Sequence, residues 1–527
     1  MKTKRYIKTI AASLLVGAMS LTSCNDFLDE LPDNRATVNT EAKIAALLVS
    51  AYPTAHFAYM TEFYSDNVDR QLDPSYTTYQ ILEEEAALWK DITYSAEDWD
   101  SPYAVWSSHY LAIAAANQAL ASIEELGSPE SLNGEKGEAL MCRAYAHWAL
   151  VNVFCKNYNS QTSSTDLGIP YMTEPETELK PTYERGTVAE VYAQIDKDIQ
   201  EALPLMDDAH ISVPKYHFTK KAAYAFAARF YLFYMQPDKS NLDKVIKYAS
   251  EVLTTAPLSM LRNWATLGAK AINSQVRAMA YSDASDNANL LILSTKSIWG
   301  YIYGPYSLAY KYCHDNVIAN NETVATNPWG QKSTLNFSIP QYNSMPKVIM
   351  AKMAEYFEYT DEVAGIGYPH VMYCVLTSDE LLLNRAEAYV LKGEYDKAAV
   401  DLNTWGTNFY NSSSEKTSDE IASYYENLAF YEPLNPTAKK KINPDFTVES
   451  GKQENMIYAV LAARRILTLH EGLRLFDVKR YGIEMTRRGI ENSEPISIID
   501  VMPKGDNRLA IQLPQSVIHA GMTANPR

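Results

Sequence analysis

The sequence predicts a predominantly α-helical chain in which loop-rich segments and a few short strands interrupt a helical scaffold. Two observations carry this prediction. Apolar residues recur at helical spacing through most of the 527 residues, and the predicted helices come in pairs with short connections. No Gly/Ser-rich or Pro-rich linker divides the chain, so we expect one compact domain rather than several.

The N-terminus predicts export and lipidation. Basic residues fall within positions 2–8, and an apolar run from Ile10 to Leu21 follows. A membrane-spanning helix takes about 20 apolar residues, so we interpret residues 1–23 as a signal peptide. The segment Leu21-Thr22-Ser23-Cys24 resembles the lipobox of bacterial lipoproteins, in which the cysteine becomes the lipidated first residue. The alternative is an ordinary secretory signal that happens to precede Cys24.

No later segment has about 18 uninterrupted apolar residues, the length that marks a transmembrane helix. Lipid on Cys24 is therefore the only membrane attachment that the sequence predicts. Two acyl chains or more would hold the protein firmly, because each buried methylene contributes about 0.8 kcal/mol.

Helical stripes are clearest in the first half of the chain. Thr187 and Glu190 form a capping box that opens one helix, and Thr219 and Ser240 stand where two more begin. The predicted helical stripes run over residues 44–51, 110–123, 140–154, 191–203, 219–233 and 240–252. Helical character weakens over residues 264–346 and 411–452, which we predict to be loop-rich insertions.

The pair of helices between Asn384 and Asn403 has a more specific pattern. Alanines stand where two helices must approach closely, and Gly393 stands at the turn, where a left-handed residue ends a helix. The string around Gly393 resembles the turn of a tetratricopeptide repeat. Because no regular period of about 34 residues runs through the chain, we expect hairpins of this type but not an uninterrupted solenoid.

Aromatic residues crowd the first predicted insertion and are candidates for ligand binding. Trp299, Tyr301 and Tyr303 fall at alternate positions, which predicts that their rings share one face of a short strand. Trp329 lies in a Pro-Trp-Gly turn, a context that tends to expose a ring. Because binding residues concentrate on loops carried by rigid scaffolds, we predict that these four rings contact ligand.

The acidic balance of the chain argues against nucleic acid as a partner. The formal net charge is −17 and the isoelectric point is near 5.1. Affinity for nucleic acid depends on neutralising phosphates, and no basic stripe offsets the excess of carboxylates.

Four cysteines follow Cys24, and we expect them to be free. Cys142 and Cys155 stand on one predicted helix at positions roughly 20 Å apart. A disulfide needs Cα atoms within about 7 Å. A bond between Cys313 and Cys374 remains possible, with free buried thiols as the default.

The chain lacks the common signatures of catalysis. It has no HExxH zinc pair, no GxSxG nucleophile elbow, no P-loop and no dinucleotide-binding glycine pattern. We therefore predict that the protein is not an enzyme and needs no cofactor or metal. A surface glycosidase is the alternative, because two carboxylates could form a catalytic pair whose separation the sequence does not give.

Four blocks of the sequence point to a family. They are CNDFLDELP at the lipobox, WSSHYLAIAAANQALASI at 106–123, RAYAHWALVNVFC at 143–155 with a later Gly-Ile-Pro turn, and HEGLRLFDVKRYG at 470–482. In this order they resemble the SusD/RagB family of outer-membrane nutrient-binding lipoproteins. That family has an acidic opening, a W..Y..I..AN..L helix, an Arg-Ala-Tyr helix and an EG.R..D.KR.G signature. One departure is the loss of two acidic positions within residues 463–468, which puts local salt bridges in doubt but not the fold.

The resemblance implies a fold and a function. The fold would have four tetratricopeptide-like hairpins with loops on one face, so that residues 24–527 form a single SusD-like domain. The protein would be anchored by lipid to the outer membrane, facing the cell exterior. It would capture oligosaccharide and deliver it to a SusC-like TonB-dependent transporter. Capture of oligopeptide, as in the RagB branch, is the alternative, and a scaffold or lid that binds little is a further one.

The resemblance also implies a ligand surface at the loop after the first helix. The polar and aromatic candidates there are Asp66, Asn67, Trp89, Tyr94 and Trp99. Charges alternate between Glu471 and Arg480, and we interpret them as an ion-pair network at a helix end. The alternative for Arg474 is a role as a clamp on the ligand.

Overall fold

Helices form the frame of the molecule in a computed structural model that describes residues 38–93, 99–176, 183–271, 275–303, 310–341 and 345–527. In the first half of the chain these are α1 (Glu41–Leu48), α2 (Ala58–Tyr64), α3 (Ile81–Ala87), α4 (Pro102–Glu125), α5 (Asn133–Phe154), α6 (Val188–Ala202), α7 (Lys220–Phe233) and α8 (Asn241–Leu253). Then come α9 (Trp264–Gly268), α10 (Gln275–Tyr281), α11 (Trp299–Tyr303), α12 (Asn316–Ile318), α13 (Ser378–Leu391), α14 (Tyr395–Phe409), α15 (Ser418–Asn427), α16 (Lys452–Leu467), α17 (Arg474–Tyr481) and α18 (Gln515–His519). The predicted fold class, mostly helical with a few short strands, is confirmed.

Neighbouring long helices pack as hairpins. Helix α5 packs on α6, α7 on α8, α13 on α14 and α15 on α16, and α13 also packs against α8 and α16. In the α13–α14 pair Gly393 has φ +77°, the left-handed conformation that its position predicts. Ala386, Ala388 and Ala398 are fully buried where the two helices meet. The helical hairpin with a glycine turn that is predicted for this pair is therefore confirmed.

Capping boxes set the starts of two helices. Thr187 Oγ1 accepts from Glu190 N at 3.2 Å, while the Glu190 carboxylate accepts from Thr187 N at 2.7 Å, as the sequence predicts for α6. Thr417 and Glu420 form the same box at the start of α15. Residues 411–452 are predicted to be loop-rich, and helix α15 forms within them. The Thr-x-x-Glu pattern at 417–420 is the signal that indicates it.

Two small sheets flank the helices. Strands β2 (Asn289–Lys296), β5 (Ile366–Thr377) and β4 (Tyr356–Asp361) form an antiparallel sheet in the order β2-β5-β4. Strands β3 (Tyr312–Cys313), β1 (Asp69–Gln71), β6 (Met485–Glu491) and β7 (Glu494–Met502) form the other, in which β1 and β6 run parallel. Most of β4 is exposed at the edge of its sheet.

The segment from Trp299 to Tyr303 was predicted as a short strand, and that prediction is wrong. It forms helix α11, in which Trp299, Ile302 and Tyr303 all face inward at helical spacing. A Cβ atom at Gly300 would lie 2.6 Å from the Glu355 Cα atom. The glycine therefore permits α11 to pack tightly against the backbone at Glu355.

The four described cysteines, Cys142, Cys155, Cys313 and Cys374, are free and buried, as expected. Across the described residues, no helix is long and apolar enough to cross a membrane.

A buried charge cluster joins distant parts of the chain. We call it the Asp66 cluster, and its members are Asp66, Asp69, Glu322, Lys440, Arg465, Arg474 and Arg488. Arg474 donates to both carboxylate oxygens of Asp66, at 2.7 and 2.9 Å. Glu322 accepts from Arg465 and from Arg488, each at 2.8 Å. This arrangement confirms the ion-pair interpretation of the segment that contains Arg474.

In the Asp66 cluster, neighbouring cations lower the pKa values of Asp66 and Glu322 by more than burial raises them. Burial alone would raise the pKa of Asp66, but Arg465, Arg474 and Lys440 hold it well below its usual range. Burial would likewise raise the pKa of Glu322, and Lys440, Arg488 and Arg465 lower it to about 2. Both carboxylates are therefore charged in the folded protein over the physiological range.

We predict that Asp66→Asn destabilises the protein by about 3–5 kcal/mol, because it leaves the buried guanidinium of Arg474 without its carboxylate partner. Urea unfolding at pH 7 measures the loss. The control is Lys90→Met, which removes an exposed ion pair with Glu84 and should cost at most about 1 kcal/mol. A loss for Asp66→Asn no larger than that of the control would contradict the prediction.

Acid should also weaken the wild-type fold. A carboxylate whose pKa is depressed by folding stabilises the protein above its unfolded pKa and loses that contribution as pH falls through its folded pKa. For Glu322 the window runs from about pH 4.5 down to about 2. A urea-unfolding series across this range should show a steady decline in the free energy of unfolding, and a flat profile would count against it.

Candidate ligand-binding groove

An open groove of about 410 Å³ lies between the N-terminal half of α4 and the chain that follows α5. Its lining residues are Tyr103, Trp106, Ser107, Tyr110, Leu111, Ile113, Ala114, Asn117, Pro170, Met172, Glu174, Glu176, Tyr183 and Met522. Three tyrosines and a tryptophan stand among them. We call it the α4 groove.

The sequence of α4 explains why one of its faces is open. Ser101 caps the helix, accepting from Ala104 N at 3.1 Å, and Pro102 occupies the first turn. The inward face packs into the core, whereas Tyr103 is 38% exposed and Leu111 is 70% exposed. Because these two residues are eight positions apart, they lie on the same side of the helix. An apolar, aromatic stripe therefore faces solvent along the groove.

The aromatic floor of the groove is held rigidly from behind. The Trp106 ring packs on Tyr110 at 4.9 Å between centroids and edge-to-face on Phe154 at 5.3 Å. The Tyr110 hydroxyl donates to the Pro170 carbonyl at 2.9 Å. Burial raises the pKa of Tyr110 well above its usual value, so its hydroxyl stays protonated and remains a donor.

The polar end of the groove is built around Asn117. Its amide nitrogen donates to the Met172 and Glu174 carbonyls, at 3.1 and 3.3 Å, and its oxygen accepts from Arg143 at 3.0 Å. Arg143 in turn forms two bonds of 2.7 Å with Asp198 on α6. One side chain on each of three helices thus fixes the wall that carries Glu174.

His147 completes the support of this wall and has no free nitrogen to offer a ligand. Its Nδ1 lies 2.8 Å from the Arg143 carbonyl, its Nε2 accepts from Met172 N at 3.1 Å, and its ring stacks on Tyr171 at 3.8 Å. Burial lowers its pKa to about 3, so the ring is neutral, with the proton on Nδ1.

The chemistry available in the α4 groove is that of binding. Ring faces can stack on apolar surfaces, while Ser107 and the two glutamates offer polar atoms at the edges. The lining residues that the structure describes include no histidine or cysteine. In the part of the chain that the structure describes, no group of three or more His, Cys, Asp or Glu side chains is arranged to hold a metal ion.

Two of the rings predicted to bind ligand in the first insertion are part of the core. Trp299 is buried, donates from Nε1 to the His470 carbonyl at 2.8 Å and meets the Tyr59 ring edge-to-face at 5.1 Å. Tyr303 is buried and stacks on His470 at 3.8 Å. Tyr301, in contrast, is half-buried and reaches the surface.

Trp329 is also buried, which corrects the expectation that its turn exposes it. Its Nε1 donates to Asn403 at 2.9 Å, and a Cβ atom at Gly406 would lie 2.3 Å from the indole. The glycine leaves a slot on α14 that the ring fills.

The predicted residues near α2 likewise divide into buried and exposed side chains. Trp89 is buried, donates to the Tyr64 carbonyl at 2.7 Å and lies beneath the Arg487 guanidinium. Asp66 belongs to the Asp66 cluster, and the Asn67 amide oxygen accepts from Arg465 at 2.9 Å. Trp99 is 36% exposed and precedes the cap of α4.

Two predicted positions, Tyr94 and Cys24, lie outside the described residues. For the buried side chains, a role as ligand contacts stays a prediction. Burial argues against it, because their ring faces and polar atoms are already occupied by protein. Trp99 and Tyr301 are the predicted rings in the described segments that reach solvent.

Sequence reasoning missed the groove although it had found the helix. Tyr110 and Asn117 were recognised within the stripe 110–123, but as one side of an apolar packing face. The sequence feature that indicates the groove is a second apolar stripe on α4, which contains Tyr103 and Leu111. This stripe lies on the opposite side of the helix from Ala112 and Ala116. When a helix has apolar residues on two sides and only one side packs into the core, the other side is available to a ligand or partner.

Comparison with known proteins identifies relatives of the fold. Residues 26–232 match a SusD-like family model described as "Starch-binding associating with outer membrane". A putative sugar binding protein from Bacteroides vulgatus is 18% identical, with a TM-score of 0.63 over 93% of this chain and 99% of that one. A SusD superfamily protein from Bacteroides thetaiotaomicron is 17% identical, with a TM-score of 0.61 over 92% of this chain and 98% of that one. No curated protein matches the chain.

At identities of 17% and 18%, the structural matches show a similar fold and nothing more. The family model shows a sequence relationship over residues 26–232. Residues 26–232 therefore match the SusD-like family model, and over more than 90% of its length the chain has a fold similar to those of solved SusD superfamily proteins.

Proposed function

We propose that this SusD-like protein captures oligosaccharide in the α4 groove and delivers it to a SusC-like TonB-dependent transporter in the outer membrane. The observation that carries the proposal is the groove itself: an open, aromatic-lined trough of about 410 Å³ with polar atoms along its edge. The family description as starch-binding and outer-membrane-associated, and the sugar-binding relative, agree with it.

The composition of the groove suits sugars. A pyranose ring has an apolar face of C–H groups that stacks on an aromatic ring, and hydroxyl groups around its rim that need hydrogen-bond partners. Tyr103 offers an exposed ring, and Trp99 lies four residues before it with a ring that is also exposed. Ser107 and Glu174 supply polar atoms along the same trough.

The proposed activity is binding without covalent chemistry. Hydrolysis of a glycosidic bond needs two carboxyl groups on either side of the bond, at separations of roughly 5 Å or roughly 6.5–9.5 Å. The carboxylates of the α4 groove, Glu174 and Glu176, lie on the same wall. An oligopeptide is the second ligand to test, since exposed rings and carboxylates would also accept a peptide.

Attachment to the outer membrane through lipid on Cys24 completes the proposal. A tethered protein facing the cell exterior would meet glycan before the transporter does. Cys24 supplies the thiol that a lipobox presents for acylation, and the acyl chains would be its contact with the membrane.

Replacing Cys24 by alanine should release the protein from the membrane. The change removes the acylated sulfur and leaves the folded domain intact. Membrane fractionation of cells that express either form measures the effect, with Cys142→Ala as the matched control for a buried thiol that is not acylated. Retention of Cys24→Ala in the outer-membrane fraction would contradict lipid anchoring at this residue.

The protein should co-purify with a TonB-dependent barrel when native outer membranes are dissolved in mild detergent. Mass spectrometry of the purified complex identifies the partner. A monodisperse monomer, without any barrel, would refute delivery to a transporter while leaving glycan binding untouched.

Removing the two exposed rings at the start of α4 should weaken glycan binding. Stacking contributes about 0.5–1.5 kcal/mol per ring, so Trp99→Ala combined with Tyr103→Ala should reduce affinity roughly tenfold or more. A glycan array on the full-length protein selects the ligand, a peptide library is screened in parallel, and calorimetry measures affinity.

Tyr359→Ala is the matched control, because Tyr359 on β4 is 56% exposed and stands outside the groove. It should leave affinity unchanged. If the double variant binds glycan as tightly as the wild type, the α4 groove is not the site. If peptides bind and glycans do not, the ligand class is wrong.

A further inference from the structure

The hairpin formed by β4 and the first part of β5 extends beyond the core. We call it the β4 hairpin and define it as residues 356–370. Every residue from 357 to 366 is exposed, and Val363 at the tip is fully so. The Asp361 carboxylate closes the turn by accepting from Val363 N and Ala364 N, both at 2.9 Å. The hairpin is therefore a well-formed projection of the sheet.

Two aromatic rings lie on one face of the β4 hairpin and are open to solvent. Phe357 and Tyr359 alternate along β4 and so share a face, and their rings meet edge-to-face at 4.9 Å between centroids. A Cβ atom at Gly367 would lie 2.7 Å from the Phe357 ring, so the glycine on β5 makes room for that ring to lie across the sheet. Both rings are exposed. This face thus offers a preformed pair of rings to a partner.

The outer edge of β4 has backbone groups that can pair with another strand. In the order β2-β5-β4, β4 is the last strand, and among the described residues no strand pairs with its outer side. Phe357 lies opposite Pro369, which has no N–H and whose carbonyl accepts from Ser297 N at 3.1 Å on the side of β2. Phe357 and Pro369 therefore form a non-hydrogen-bonded pair. The alternation of an antiparallel ladder then turns the N–H and C=O groups of Phe357 and Tyr359 outward.

The carboxylates of this hairpin outnumber the cations beside it. Over residues 353–384 the sequence has no lysine or arginine, while four carboxylates lie near the start of that span: Glu355, Glu358, Asp361 and Glu362. Lys296 on β2 is a neighbouring cation, with its Nζ atom 4.4 Å from the centroid of the Tyr368 ring. One lysine beside four carboxylates leaves the hairpin acidic, so a partner matches it in charge when that partner is basic.

We propose that the β4 hairpin is a docking edge for an extended segment of another protein, in which basic residues alternate with apolar ones. The segment would add to the sheet beside β4, with its apolar side chains against Phe357 and Tyr359 and its basic side chains on the face of Glu358. Its paired length would be that of β4, which has 6 residues. The β4 hairpin shares no lining residue with the α4 groove, so the proposal does not depend on glycan capture.

Other occupants fit the β4 hairpin less well. A second copy paired antiparallel about Glu358 would place two glutamates opposite each other, and like charges in that position destabilise a sheet. The same carboxylates would be repelled by an anionic lipid surface. Carboxylates also protect an exposed edge against aggregation, but that role needs no exposed rings. The rings, the open edge and the acidic charge together match a basic strand.

Labelled octapeptides test the proposal on the full-length protein in detergent. One alternates lysine with valine, a second alternates lysine with serine, and a third alternates glutamate with valine. Fluorescence anisotropy at low and at high salt measures their affinities. We expect the lysine–valine peptide to bind at least about tenfold tighter than either of the others, because it alone matches both the rings and the charge.

Two substitutions at one position separate backbone pairing from ring contact. Tyr359→Ala removes the ring and keeps the outward N–H, whereas Tyr359→Pro removes both. An edge strand tolerates proline where its N–H faces solvent, and circular dichroism with a melting curve checks each fold. Tyr359→Ala should weaken binding of the lysine–valine peptide roughly threefold. Tyr359→Pro should weaken it by a further factor of roughly three or more, because one hydrogen bond is lost.

The charge is tested by Glu358→Gln with Glu362→Gln, which keeps the size of both side chains. This variant should bind the lysine–valine peptide roughly threefold more weakly at low salt and almost as well as the wild type at high salt, because exposed ion pairs are weak and screened. The control is Glu251→Gln with Glu494→Gln, which makes the same change in net charge at two exposed glutamates on α8 and β7. It should leave the affinity unchanged.

Each other outcome overturns the proposal. If the lysine–serine peptide binds as tightly as the lysine–valine peptide, the attraction is one of charge alone. If Tyr359→Ala and Tyr359→Pro bind the peptide alike, no strand is added at this edge, and if no peptide binds, the hairpin is not a docking edge. Self-association in sedimentation that Tyr359→Pro abolishes would make a second copy the occupant. Binding of the Cys24→Ala protein to phosphatidylglycerol–phosphatidylcholine vesicles, lost on adding Tyr359→Ala, would make it a lipid surface.

Discussion

A buried network of carboxylates and guanidinium groups is the constraint on which the rest of the molecule depends. Asp66 follows α2, and Glu322 lies in the segment directly after α12. Arg465 lies on α16 and Arg474 on α17. Because an unpaired buried charge costs several kcal/mol, these segments must meet in an arrangement in which each buried charge has a partner of opposite sign. The network therefore joins residues about 400 positions apart in the chain, and it holds the loops between the helical hairpins in place.

A second buried pair, Arg143 with Asp198, does the same for the α4 groove. It positions Asn117, and Asn117 positions the wall that carries Glu174. None of these supporting groups needs to move for a ligand to enter the open trough. The rings and carboxylates are presented by a rigid frame, which lowers the entropic cost of binding. Affinity and selectivity can then reside in a few exposed side chains.

The blocks that carry the family resemblance serve mainly to build this frame. Trp106 and Asn117 fix the floor and wall of the groove, Arg143 holds the wall to α6, and the signature near the C-terminus supplies Arg474 to the Asp66 cluster. The two acidic positions missing near Arg464 and Arg465 are compensated from a distance, because these arginines pair with Asp477 and Glu322. These residues belong to the scaffold, whereas Tyr103, which lines the α4 groove, is 38% exposed.

The sequence by itself determined the helical class, the starts of α6 to α8, the α13–α14 hairpin and the free thiols, because caps, helical spacing and glycine turns are local signals. It also carried the family resemblance. Only the tertiary structure decided which aromatic rings are exposed. Trp299 and Trp329 lie in segments of loop-like composition, yet α2 and a slot at Gly406 enclose them. Tyr103 stands on a helix of ordinary apolar pattern, yet it is 38% exposed. Burial depends on what packs against a residue from elsewhere in the chain, and no local pattern contains that information.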